Sequence, residues 1–243
     1  AKASGMALGV MDDLAVGIHP RGADVWSAPE AFARGIQVGA PPDMYNQLGQ
    51  NWSQPPWSPR SLAESGYLPL RDMVRAALCN SGAVRIDHIL GMFRLWWIPD
   101  GRAATEGTYV YYDHEAMLGV ILLEAQRAGA VVIGEDLGVV EPWVRDYLRE
   151  RGVLGTSVVW FEKEGGGWPL RPEHYRDRAL AAVNIHDLPP TLGYIRGIQT
   201  TLRSELGLLT DDIETVRAGD RLELEQVAVR LHEYGCIDGA EPS

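Results

Sequence analysis

The chain has 243 residues, 22 Lys+Arg against 33 Asp+Glu for a formal net charge of −11, and 46% hydrophobic residues. This is the composition of a soluble globular protein. Its negative charge argues against nucleic acid and membrane as partners, because phosphate backbones and anionic lipid surfaces are bound by clustered Lys and Arg. No apolar run reaches the roughly 20 residues of a membrane span and the start lacks a signal-peptide pattern, so a cytoplasmic protein is expected. The only cysteines, Cys79 and Cys236, form no CxxC or Cys/His set, which argues against a disulfide framework and structural zinc.

In chain order, the first expected strand is Leu8 to Val16. A long Pro/Trp-rich loop over 26–67 follows, with Pro29, Pro41, Pro42, Pro55, Pro56 and Pro59 beside Trp26, Trp52 and Trp57. A loop of this length inside a domain is usually functional. Pro69 opens a helix with Leu70, Met73, Val74, Ala77 and Leu78 on one face. Ala83 to Ile86 is a strand. Trp96 and Trp97, being adjacent, face opposite ways if extended, and at least one is expected in the core. Asp113 caps a helix striped by Met117, Ile121, Ala125 and Ala128 and stopped at Gly129. Ala130 to Ile133 is the next strand, and a helix runs from Pro142 to near Gly152. Ser157 to Phe161 and Leu180 to Ile185 complete the strands. A helical tail over 210–234 reads as two helices split at Gly219, the second opened by a capping box at Asp220-Arg221-Leu222-Glu223. The strands are rich in Val, Ile or Ala with little polar alternation, as parallel strands buried on both faces are expected to be. The order predicts an α/β fold, either an open doubly wound sheet or a (β/α) barrel, and no linker divides residues 1–243 into independent domains.

Chemistry concentrates where strands end. Ala83 to Ile86 runs into Asp87-His88, Ala130 to Ile133 into Gly134-Glu135-Asp136-Leu137-Gly138, and Leu180 to Ile185 into His186-Asp187-Leu188-Pro189. In parallel α/β folds such strand ends share one edge, so carboxylates distant in sequence are expected to face one another. An acid after one strand is ordinarily a cap or a loop acceptor. Three such acids, two beside histidine, point to a shared site. Glycosyl transfer with retention uses one carboxylate as nucleophile and one carboxylic acid as proton donor, about 5 to 5.5 Å apart. A hard-cation or mixed metal site built from Asp87, Asp136, Asp187, His88 and His186 is the competing reading, although no HExxH or DxDxDG spacing supports it. No GxGxxG follows a strand, so a dinucleotide cofactor is not expected.

Arg85-Ile86-Asp87-His88, Gly134-Glu135-Asp136-Leu137-Gly138 and His186-Asp187-Leu188-Pro189 together resemble the amylomaltases, disproportionating 4-α-glucanotransferases related to the α-amylase clan. Gly39-Ala40-Pro41-Pro42-Asp43, Gly49-Gln50-Asn51-Trp52 and Arg94-Leu95-Trp96-Trp97-Ile98-Pro99 extend the resemblance, which runs from about Gly9 to Gly235 and is closest to the longer bacterial members. It implies a partial (β/α)8 TIM-type barrel, roughly strands 3 to 7 with inserted loops and C-terminal helices, so that the chain reads as an internal fragment holding one incomplete catalytic domain. It implies action on maltooligosaccharides and other starch- or glycogen-derived α-glucans, with no cofactor and no metal.

By the same resemblance Asp87 is the nucleophile, Glu135 the general acid/base, and Asp187 the third carboxylate, binding sugar hydroxyls. Arg85 keeps the nucleophile ionised, and His186 hydrogen-bonds the sugar. His88 and Asp136 are candidate sugar contacts, His88 fitting a buried hydrogen-bonded role equally well. Pro42 and Asp43 belong to a loop covering the acceptor side, and Gln50 and Trp52 either contact glucan or anchor their loop. An aspartate that binds sugar after the first strand in shorter members has no evident match among Arg21 and Asp24. An α-glucan hydrolase of the same clan and a catalytically silent glucan-binding fragment are the alternatives.

Overall fold

A computed structural model describes residues 1–42, 47–138 and 140–238. Contacts group the chain into two units, Ala1–Gly155 and Thr156–Ser243. The first contains β1 (Met11–Leu14), α1 (Ala23–Ser27), β2 (Ile36–Ala40), β3 (Gln50–Gln54), α2 (Pro59–Glu64), α3 (Leu68–Leu78), β4 (Ala83–Ile86), β5 (Arg94–Pro99), β6 (Thr108–Tyr111), α4 (His114–Ala128), β7 (Val131–Gly134) and α5 (Pro142–Glu150). At the junction lies β8 (Gly155–Val158), and the second unit continues with β9 (Ala179–Ala182), α6 (Thr191–Ile195), α7 (Ile198–Glu205) and α8 (Ile213–Glu233). The fold is α/β with mixed sheets.

Strands β1, β4 and β7 form a parallel sheet in that order, with Asp13 opposite Arg85 and Arg85 opposite Ile133. Leu154 adds an isolated parallel bridge to Ile133. All four residues of β4 are buried, as a strand enclosed on both faces requires. Val84 and Ile86 pack in one core cluster with Leu70, Val74 and Leu78 of α3, Met117, Leu118 and Ile121 of α4, and Val144 and Leu148 of α5. Because side chains alternate along a strand, Arg85 and the position of Asp87 fall on the opposite face from those helices. The Asp113 carboxylate accepts from the Ala116 N–H at 3.0 Å and starts α4. Gly129 ends it at φ 62°, a left-handed conformation that glycine adopts without cost.

The segment over 26–67 is not one loop. Pro59 sits in the first turn of α2 behind the Ser58 cap, and Pro29 opens a short 3-10 turn, so these prolines start helices, where their missing N–H costs nothing. Between them the β2–β3 hairpin joins β5 and β6 in an antiparallel sheet of order β3-β2-β5-β6, which the sequence reading did not anticipate. Trp97 pairs with Val38 and Trp96 with Gly39 across that sheet. Both indoles are half-buried: Trp97 packs against the core and donates to the Tyr112 hydroxyl at 3.2 Å, while Trp96 donates to the Ala104 carbonyl at 2.8 Å.

The tail also departs from expectation. A single helix, α8, runs through Gly219, a tolerated cost of about 1 kcal/mol, and its cap is Asp212, which accepts from the Glu214 N–H. Asp220 and Glu223, expected to open a helix, lie mid-helix and bind side chains instead. Asp220 accepts from the Thr200 hydroxyl of α7, and Glu223 meets Lys163 and the Tyr194 hydroxyl of α6, each at 2.5 Å. In the second unit β8 pairs with β9. No described helix is long and apolar enough to cross a membrane.

Candidate active site

Two acids, Asp87 and Glu135, follow directly on the C-terminal ends of the neighbouring parallel strands β4 and β7. The Asp87 N–H donates to the Leu14 carbonyl of β1, and the Glu135 N–H to the Ile86 carbonyl of β4, both at 2.9 Å. These are the last rungs of the two ladders, so each acid is fixed at the strand edge by its own backbone.

Arg85 lies on the same strand face as Asp87 and is 6% exposed. Its Nη1 donates to Asp13 Oδ1 at 2.7 Å, and its Nη2 stands 2.9 Å from Asp87 Oδ1 as an ion pair without hydrogen-bond alignment. One buried guanidinium thus serves two carboxylates. Asp13 is the site residue that sequence reasoning missed. Its signal was present: Asp12-Asp13 interrupts an apolar strand, and only the β1–β4 register shows that Asp13, not Asp12, meets Arg85.

Glu135 is held by two backbone donors, the His88 N–H to Oε2 at 3.1 Å and the Leu137 N–H to Oε1 at 2.6 Å. Burial pushes its carboxyl above the usual range, opposed first by the Leu137 N–H and reinforced by the Asp87 charge. Gly134 makes this arrangement possible. A Cβ there would come within 2.5 Å of Ile89, whose own N–H donates to the Glu135 carbonyl at 3.0 Å. The missing side chain lets the turn at Ile89–Met92 close over the end of β7.

His88 adopts φ 44°, a left-handed conformation uncommon for a side-chain-bearing residue. Burial lowers its pKa, opposed by the neighbouring Asp87. The Trp52 ring meets it edge-on at 5.4 Å, and the Trp52 Nε1–H donates to Gln50 Oε1 at 3.2 Å. Gln50, Trp52 and His88 therefore form one contiguous group reaching from β3 to β4, and the first two lie on a strand rather than in a loop. Pro42 is exposed just after β2, while Asp43 lies outside the described residues. Asp136 is buried; the Arg145 Nη2 donates to its carbonyl at 3.2 Å and Nε stands 3.6 Å from its carboxylate, so Asp136 ties α5 to the loop after β7.

In the second unit, Asn184 folds the segment after β9 by donating to the Pro189 carbonyl at 2.5 Å and accepting from the Ile185 N–H. The turn leaves His186 and Asp187 exposed, with His186 Nε2 3.5 Å from Asp187 Oδ1. Among the described residues no three His, Cys, Asp or Glu side chains are grouped to hold a metal ion.

The family model described as 4-alpha-glucanotransferase matches residues 1–235. A 4-alpha-glucanotransferase of Mycobacterium tuberculosis is 57% identical over 98% of this chain and 34% of its own length. That of Haemophilus influenzae is 38% identical over 87% of the chain and 30% of its own length. The crystal structure of the amylomaltase from Corynebacterium glutamicum superposes with TM-score 0.93 at 48% identity, covering 98% of this chain and 34% of that one. The chain spans about a third of the length of the curated relatives it matches. With nearly its whole length matched, this chain belongs to the 4-α-glucanotransferase family.

Proposed function

We propose that the protein is a retaining 4-α-glucanotransferase that moves α-1,4-glucan segments between maltooligosaccharides through a glucosyl-Asp87 ester. The observation that carries this reading is the difference in surroundings between two acids on neighbouring strands. Asp87 is paired with a buried guanidinium, while Glu135 is pushed toward its protonated form by burial. That asymmetry is what a nucleophile and a proton donor need at one pH. In the first step an Asp87 oxygen attacks the anomeric carbon as the Glu135 proton passes to the departing glycosidic oxygen. In the second, ionised Glu135 takes the proton of an acceptor hydroxyl, which displaces Asp87. The backbone donors of His88 and Leu137 favour the ionised acid and hold it ready for that reversal.

In the same reading β1, β4 and β7 are strands 3 to 5 of a (β/α)8 barrel, and β8 and β9 supply strands 6 and 7. Asp187 and His186 then bind the sugar in the cleaving subsite, Gln50, Trp52 and His88 contact glucan, and Pro42 with Asp43 covers the acceptor side. Asp136 supports the site from its buried position. Excluding water behind such a cover favours a sugar hydroxyl as acceptor. The two cysteines are free and exposed, which fits a reducing cytoplasm.

Incubating the complete protein with maltotriose and separating the products by chromatography tests the proposal. Both longer and shorter oligosaccharides should appear without net gain of reducing ends. Glucose and maltose alone would make the protein a hydrolase.

A further inference from the structure

Beyond Glu135 and Asp136, the loop leading into α5 borders a second concavity of about 160 Å³. Its walls come from this loop, the turn after His88 and the end of β6, all on the first unit. Phe93 and His114 stack at 4.8 Å, and Trp143 meets both edge-on, at 5.5 and 5.8 Å. This packing braces the indole, yet Trp143 remains 49% exposed. A fixed, solvent-facing indole is a platform for a flat apolar partner.

The rim is polar and equally braced. The Trp143 Nε1–H donates to Glu141 Oε2 at 2.6 Å, and Glu141 Oε1 pairs with the Arg94 Nη2 at 3.0 Å. Arg94 in turn lies over the Tyr109 ring at 4.3 Å. A carboxylate and a guanidinium held side by side present an acceptor and a planar donor fork, which match adjacent hydroxyls. A pocket lined by aromatic rings with a few fixed polar groups at its mouth is the usual form of a small-molecule site. Its volume suits a single hexose ring. Neither Asp87 nor Glu135 borders it, and the proposed chemistry uses none of its residues.

We propose that this pocket is an accessory subsite that takes one glucosyl unit of an α-1,4-glucan, stacking its apolar face on Trp143 and its hydroxyls against Glu141 and Arg94. This rests on the glucan-transfer reading and adds to it a grip on longer chains. Substrates long enough to occupy both places gain effective concentration at the catalytic carboxylates.

The test compares kcat/KM for maltoheptaose and maltotriose in the complete protein and its Trp143→Ala and Trp143→Phe variants. The preference for maltoheptaose should fall about five- to tenfold in Trp143→Ala, the size expected for one lost stacking contact, and Trp143→Phe should retain most of it. An unchanged preference in Trp143→Ala overturns the subsite while leaving glucan transfer intact. So does an equal fall in both variants, because that pattern marks an indole needed only to brace its neighbours. Absence of transfer from either substrate by the unmodified protein would overturn the functional reading and the subsite with it.

Discussion

At the scale of single residues, the roles proposed for the two central acids rest on what surrounds them. Asp87 faces a guanidinium that is itself buried and shared with Asp13, whereas Glu135 meets desolvation, two backbone N–H groups and the Asp87 charge. Replacing Asp87 with Asn keeps the shape and removes the nucleophile, so no glucosyl ester should form with any donor. Replacing Glu135 with Gln removes the proton, yet an α-glucosyl fluoride, whose leaving group needs little protonation, should still glycosylate Asp87 and then stall for want of a base. Intact-mass measurement after incubation with the fluoride should show an added glucosyl group on Glu135→Gln and none on Asp87→Asn. The opposite pattern would exchange the two roles.

Among the elements, the end of β7 decides whether the acid is placed. Gly134 leaves the space that Ile89, fully buried, fills. A methyl group there has nowhere to go without moving the turn whose His88 N–H holds Glu135. Gly134→Ala should therefore lower unfolding stability by about 1–3 kcal/mol, the usual cost of overpacking, and reduce kcat by roughly tenfold or more. Loss of the His88 donor also removes a contact favouring the ionised acid. The Glu135 pKa should then rise, its protonated form persist to higher pH, and the alkaline limb of the rate profile move upward. Urea unfolding and a pH–rate profile check these outcomes; unchanged stability and profile would mean that the turn accommodates the methyl freely. This element was legible only in part. Ala83 to Ile86 was found residue for residue from its apolar run, but β5 and β6 were not, because Arg94-Leu95-Trp96-Trp97 shows no clean alternation and its pairing with the β2 hairpin is a long-range choice.

For the whole molecule, the informative surface is the edge of the parallel sheet. β1 is an edge strand with three of its four residues exposed, and Met6, Leu8, Val10 and Met11 are each at least 43% exposed beside it. Unpaired strand edges with apolar flanks invite association. His186 and Asp187, proposed above to bind sugar in the cleaving subsite, also stand open to solvent, whereas such a subsite works by excluding water. Produced as these 243 residues alone, the protein should elute as a species larger than a monomer and catalyse no glucan transfer. Size-exclusion chromatography with light scattering and the maltotriose assay check this. A monomeric, active preparation would show that the exposed edge and the open turn are both compatible with function.

The sequence by itself determined the local elements and the chemistry at their ends. Apolar runs, the caps at Asp113 and Gly129, and the acids Asp87 and Glu135 directly after β4 and β7 are short-range features that spacing suffices to read, whereas β9 ends at Ala182, five residues before Asp187. It did not determine which acid of Asp12-Asp13 meets Arg85, that Asp220 and Glu223 would bind α6 and α7 side chains instead of capping a helix, or that Ile36–Ala40 and Gln50–Gln54 would form a hairpin joined to β5. Those outcomes belong to tertiary structure, because each depends on a partner far away in the chain. Sheet register chose Asp13, a neighbouring helix face captured Asp220, and the cross-strand pairing of Val38 with Trp97 turned an apparent loop into a sheet.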